Sequence, residues 1–231
     1  MNYKEKSSEN SLYLQWWKWL SVVMVLFTII AGFLIEVPRL PILHESIRNL
    51  FFHVTMWFAM LIMMISSLKY GISYLRTGNL DNDIKAETCI QTGIFLGILG
   101  IVTGSVWAKF TWGAWWVSDA KLNGSAAALL VYLAYIVLRG SMDDRHKRAR
   151  ISAVYSIFAF TLMIVFIMIL PRMTDSLHPG NGGNPGFGAY DLDSRMRIVF
   201  YPAIIGWALL AAWITELRVR MKRLHYQRND L

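Results

Sequence analysis

Six stretches of about 20 consecutive apolar residues constrain this chain more than anything else in it. Windows of that length are what an α-helix needs to cross a hydrocarbon core of roughly 30 Å. They fall near Trp17–Ile35, Leu50–Leu68, Thr88–Trp107, Ser125–Leu138, Ile151–Leu170 and Ile198–Ile214. The fourth is short and can borrow residues from either flank. All six are rich in Leu, Ile, Val, Met and Phe and almost free of charge, without the alternation a lipid-facing strand requires. The expected fold is therefore an all-α integral membrane protein, a single domain of six transmembrane helices spanning residues 1–231. With 55% hydrophobic and 16% charged residues among 231, the composition departs from that of a soluble globular domain.

The basic residues assign the sides. The N-terminus, the second and fourth loops and the C-terminus carry 16 Lys and Arg, and the other three loops carry 7. The positive-inside rule then predicts both termini in the cytoplasm and the first, third and fifth loops outside. The net charge of +8 is explained by a membrane surface without invoking nucleic acid. The first segment follows sixteen largely polar residues and lacks an A-x-A-like cleavage site, so it is read as an anchor that stays. The single Cys89 excludes a CxxCH haem-attachment motif, a Cys-rich zinc site and an intrachain disulfide. No GxxxxGK[ST] phosphate loop is present, so ATP hydrolysis would belong to another subunit.

The unusual residues are in the outer loops. Four of the ten Trp (Trp107, Trp112, Trp115 and Trp116) fall within ten residues. They belong either to an interfacial aromatic belt or to a platform for a large planar ligand. On a continuous helix, Trp112, Trp115, Trp116 and Asp119 would share one face. Of five histidines, His146 and His225 sit in basic, solvated segments, whereas His44, His53 and His178 map to the outer side. His53 lies just inside the second segment, where an ionisable group is costly without a partner or task. Its helical neighbours Trp57, Met60 and Met64 read as bundle packing. His178 precedes a glycine-rich stretch, Gly180–Gly188, expected to form a cover. Two neutral imidazoles from different loops suit the two axial positions of a haem iron. Haem propionates want cations, for which Arg48, Lys121, Arg172, Arg195 and Arg197 are candidates.

Trp112-Gly-Ala-Trp-Trp-Val-Ser-Asp119-Ala-Lys-Leu122 resembles the WGxxWxWDxRL signature of the haem-handling, or WWD, family. The length and the six segments resemble its CcmC branch more than the longer CcmF and CcsA-type relatives. Glu45–Val54 and Leu177-His178 are similar to the regions that supply that branch's two haem-ligand histidines, and Trp107 has a counterpart there. Three positions depart from the pattern: Ser118 replaces a third signature Trp, Lys121 replaces Arg, and Thr55 replaces the commoner Pro.

The resemblance implies a haem-delivery protein of cytochrome c biogenesis in the bacterial inner membrane, not an enzyme in its own right. It implies haem b held on the periplasmic face between His53 and His178 as axial ligands. Arg48, Trp107, Trp112, Trp115, Trp116, Asp119 and Lys121 would surround it, and His44 is a substitute ligand. The periplasmic Trp-rich loop would be residues 107–122 and the His-containing loop 171–197. The implied partners are the haem chaperone CcmE, the small CcmD and the CcmA–CcmB ABC transporter. Two other classes compete: a cytochrome b-type redox carrier, which would place paired histidines inside the bilayer, and a small-solute transporter, which would carry broken helices and mid-membrane polar groups.

Overall fold

A computed structural model describes residues 15–178 and 192–229. Among these residues there is no strand, and six helices are long and apolar enough to cross a membrane. They are α1 (Trp16–Leu34), α2 (His53–Thr77), α3 (Leu80–Trp112), α4 (Ala120–Gly140), α5 (Arg145–Ile164) and α6 (Ser194–Asn229). A 3₁₀ segment, His44–Phe51, leads into α2. A π-helical segment, Val165–Ile169, and one further turn, Leu170–Met173, extend α5. At 1.5 Å per residue α6 runs to about 54 Å, well beyond the roughly 30 Å hydrocarbon layer, so its basic end projects from the bundle.

The helices are turned inside out relative to a soluble protein. α1 buries Lys18, Ser21, Thr28 and Gly32 while exposing Trp19, Val23, Leu26, Ile30 and Phe33. That is the distribution lipid permits: it solvates large apolar side chains and leaves small and polar ones to the helix contacts. α1 packs chiefly on α6, where the Ser21 hydroxyl donates to the Gly206 carbonyl at 3.2 Å. A Cβ at Gly206 would lie 3.0 Å from Met24 Cβ, so the absence of a side chain sets this crossing.

α2 is central, against α3, α5 and α6. Its contact with α3 follows a ladder of glycines. Gly93, Gly97, Gly100 and Gly104 face Met64, Met60, Trp57 and His53 in turn, and a Cβ on any of them would meet its partner at 2.6–2.9 Å. This close approach fixes both the rotation and the height of α2 on α3. Met60 and Met64 are buried here, as packing residues.

The two ends of the bundle differ. At the end holding residue 18, Lys18 pairs with Glu216 at 2.9 Å, so α1 begins beside the last part of α6. The same end contains a buried ionic network. Arg139 grips Asp83 with two bonds of 2.7 and 2.6 Å and also pairs with Glu87 at 2.9 Å. Lys222 closes on Glu87, and the Arg218 guanidinium donates to Gln91 at 2.9 Å. The apolar windows read from sequence stop short of Asp83, Glu87 and Arg139. The helices continue through them because each charge has a partner in the neighbouring helix.

The opposite end differs from the expectation in its loops. Residues 107–112 and 120–122 are helical, so only residues 113–119 of the Trp-rich stretch are a loop. In the His-containing stretch, α5 extends as far as Met173 and α6 starts at Ser194. The glycine-rich stretch Gly180–Gly188 falls outside the described residues.

Candidate functional site

His53 is the first residue of α2, where the 3₁₀ segment hands over to the α-helix. Its ring lies flat against the bare backbone of Gly104, where a Cβ would come within 2.6 Å of Cε1. Nδ1 is 2.9 Å from the Gly100 carbonyl oxygen and 3.1 Å from Thr103 Oγ1. The Thr103 hydroxyl donates to Leu99 O at 2.8 Å, and a carbonyl can only accept. The proton is therefore on Nδ1, which leaves the Nε2 lone pair for a metal. Trp57 and Trp107 meet the ring edge-on, with centroids 6.4 and 5.9 Å away. The 3₁₀ segment is stapled beside it: Trp107 Nε1 donates to Ser46 Oγ at 3.0 Å and Asn49 Nδ2 to Thr103 O at 3.0 Å.

His178 reaches the same end of the bundle by another route. Pro171 and the π-helical segment close the fifth span, and the chain turns at Thr174. The next residues close on Asp119, the N-cap of α4. Asp119 Oδ1 accepts from the Lys121 and Leu122 amides at 2.9 and 3.2 Å. Oδ2 accepts from Ser176 Oγ and the Leu177 amide at 2.8 and 2.7 Å. His178 Nδ1 lies 2.9 Å from Oδ1. An ionised carboxylate only accepts, so this ring too is protonated on Nδ1 with Nε2 open.

Burial alone would raise the Asp119 carboxyl, but the Leu177 amide, the Ser176 hydroxyl and the neighbouring His178 hold it below the ordinary carboxylate value. Burial pushes His178 below the usual 6.5, against the pull of Asp119 and with help from the Lys121 charge, so its ring is neutral at pH 7. The Trp112 ring packs edge-on against it at 5.0 Å. His178 and Lys121 both lie within electrostatic reach of His53.

The structure thus brings His53, His178, Trp107, Trp112, Asp119 and Lys121 to one end of the bundle and corrects three expectations. Trp112, Trp115, Trp116 and Asp119 do not share a helical face. Gly113 takes a left-handed conformation (φ 79°) and ends α3 at Trp112, and α4 starts only after its Asp119 cap. Trp115 and Trp116 stand in the loop between them, 58% and 42% exposed, and the Trp116 indole donates to Asn123 Oδ1 at 3.1 Å. Asp119 is not the polar edge of a platform; its side chain is fully buried under the His178 segment. Arg48 does not extend toward a ligand of His53. Its guanidinium pairs with Glu45 at 2.8 Å and donates to the Gly32 and Ile35 carbonyls at 3.0 and 2.5 Å, where it caps the end of α1. His44 is exposed at the start of the 3₁₀ segment, in a left-handed backbone (φ 44°).

Sequence reasoning passed over Gly100, Gly104, Thr103, Ser46 and Ser176. The four-three-four spacing of the α3 glycines was the available signal, since small residues repeated on one helix face mark a close helix contact.

A search for relatives gives a consistent picture. The family model described as "Heme exporter protein C", CcmC, matches residues 4–231. Among individual proteins, heme exporter protein C of Escherichia coli (strain K12) is 31% identical over 130 residues, covering 55% of this chain and 50% of that protein. Its namesake from Haemophilus influenzae is 29% identical over 137 residues, covering 57% and 53%. A cytochrome c biogenesis protein CcsA from Prochlorococcus marinus is 30% identical over 99 residues, covering 43% and 31%. The chain thus aligns with about half the length of the heme exporter relatives it matches.

Proposed function

The chain belongs to the CcmC, or heme exporter protein C, family, and on that premise we propose that it binds haem for cytochrome c biogenesis and presents it at the periplasmic face. One observation carries the reading. Two histidines from distant parts of the sequence reach one end of the bundle, each with Nδ1 committed to an acceptor and Nε2 open. Neutral imidazoles with a fixed tautomer are what an iron ligand requires.

Haem is the cargo, of the non-covalently held b type. When bound, its iron takes the two Nε2 lone pairs of His53 and His178. Trp107 and Trp112, already edge-on to those rings, and the exposed Trp115 and Trp116 supply the aromatic surround. Lys121, with the Arg172 charge nearby, is the propionate partner we favour. Arg48 contributes indirectly, by holding the 3₁₀ segment to α1. Asp119 positions His178. The chain's own part in delivery is to hold and orient haem while a chaperone of the CcmE kind takes it. CcmD and a CcmA–CcmB transporter would complete the complex. The charge asymmetry of the loops supports an inner-membrane orientation with this end in the periplasm and both termini in the cytoplasm.

The test is a pyridine haemochrome assay and absorption spectrum on the purified chain, with chaperone loading measured in parallel. His53→Ala and His178→Ala should each lose haem or shift its spectrum and block loading. Two variants that retain an unaltered spectrum and load the chaperone at the parental rate would sink the assignment.

A further inference from the structure

The two candidate ligands are held by unlike partners. His53 gives its Nδ1 proton to a neutral amide carbonyl, that of Gly100, while His178 gives its proton to a carboxylate. Building on the haem-ligand reading above, we propose that Asp119 is a positioning residue that makes His178 the stronger electron donor and so biases the bound iron toward its ferric state.

The geometry supplies the reason. The Asp119 side chain is fully buried, so its charge acts on the imidazole with little screening by water. Five donors converge on it: the Lys121, Leu122 and Leu177 amides, the Ser176 hydroxyl and the His178 ring. They keep it ionised and fix its direction. A carboxylate drawing on the Nδ1 proton pushes electron density toward Nε2, which raises ligand basicity. Stronger donation stabilises Fe(III) more than Fe(II), because the ferric ion carries the higher charge. The Gly100 carbonyl also lies within a helix, carries no net charge and polarises its imidazole less. The Lys121 charge acts on both rings and does not remove the difference between them.

The experiment is redox potentiometry on the haem-loaded full-length chain. Asp119→Asn removes the charge but keeps a good N-cap residue for α4 and an oxygen that can accept from Nδ1. Losing such an outer-shell partner costs about tenfold or more in metal affinity. If the loss falls on the ferric form, the midpoint potential rises by about 59 mV for each tenfold. Ser176→Ala loosens the same segment at Oδ2 without touching the Oδ1 bond to His178, and should leave the potential where it was.

An Asn variant whose potential matches that of the parent, or moves no further than Ser176→Ala, overturns the proposal. Should Asp119→Asn fail to insert, the electron paramagnetic resonance spectrum of the ferric parent decides. A strongly donating imidazole narrows its g spread relative to haem with two neutral-partnered imidazoles, and an equal spread overturns the proposal. A His178→Ala variant with unchanged haem spectrum would instead bring down the ligand assignment on which it rests.

Discussion

The two ends of this bundle treat ionisable side chains in opposite ways. At the end where α1 begins, Asp83, Glu87 and Arg139 are buried and saturate one another, with Lys222 joining from α6. At the other end His53 and His178 are also held by hydrogen bonds, but each through only one of its two nitrogens. A buried charge network that is fully paired has no valence left for anything else, so its role is to fix helices. A neutral ring with one nitrogen pinned is oriented and still available. The contrast separates scaffold from site without reference to which residues are charged.

The comparison can be broken most forcefully at Arg139. Arg139→Met leaves Asp83 and Glu87 buried against a side chain that cannot pair with them. Removing one partner of a buried pair costs about 3–5 kcal/mol. The expected result is a large fall in thermal stability in detergent, with haem content per folded molecule unchanged. A variant of parental stability would show that water or lipid headgroups compensate the carboxylates.

Gly104→Ala sharpens the comparison from the other side. In an exposed helix position Gly→Ala is stabilising by about 0.5–1 kcal/mol. Here the new methyl would sit 2.6 Å from His53 Cε1, so the ring must move. Haem occupancy should fall several-fold while the bundle loses little stability. Gly140→Ala, where nothing lies within 4 Å, is the matched control and should be neutral or slightly stabilising. Equal haem occupancy in the two variants would mean that the close approach to His53 has no bearing on the site.

The smallest effect separates Lys121 from Arg48. Lys121→Gln should weaken haem binding without loss of stability. Arg48→Gln should lower stability by about 1–3 kcal/mol through the orphaned carbonyls of α1, with a lesser effect on affinity. Titrating haem into both variants and melting each of them checks the order. The reverse order would return the propionate role to Arg48.

Much of this architecture is legible in the residues because the bilayer leaves few options. Length and apolarity locate the six spans, and a histidine beside a Trp-rich loop is conspicuous in such a chain. The legible part ends where backbone atoms act as partners. The carbonyls of Gly32, Ile35 and Gly100 carry no residue identity, so neither the capping role of Arg48 nor the tautomer of His53 could be read from letters. The Trp platform fails for a different reason. Spacing of three, four and seven residues implies one face only if the helix continues, and Trp112-Gly113 followed by Asp119 holds both a stop and a start signal. The ionic network was hidden because charge within a span counts against a membrane helix until its partner on another helix is known.

The π-helical segment at 165–169 has a consequence for how this chain can change by insertion and deletion. It holds one residue more per turn than the helix on either side. Gly124 of α4 sits so close to it that a Cβ there would fall 2.3 Å from the Phe166 carbonyl oxygen. Deleting a single residue from Val165–Ile169 would restore a regular α-helix, shorten the fifth span by about 1.5 Å and turn everything after it by about 100°. The membrane would tolerate that helix as readily as the present one. Ser176, Leu177 and His178, however, would swing away from Asp119. The extra residue is thus a phase setting: it leaves the hydrophobic length of the span almost untouched and determines which way its outer end points.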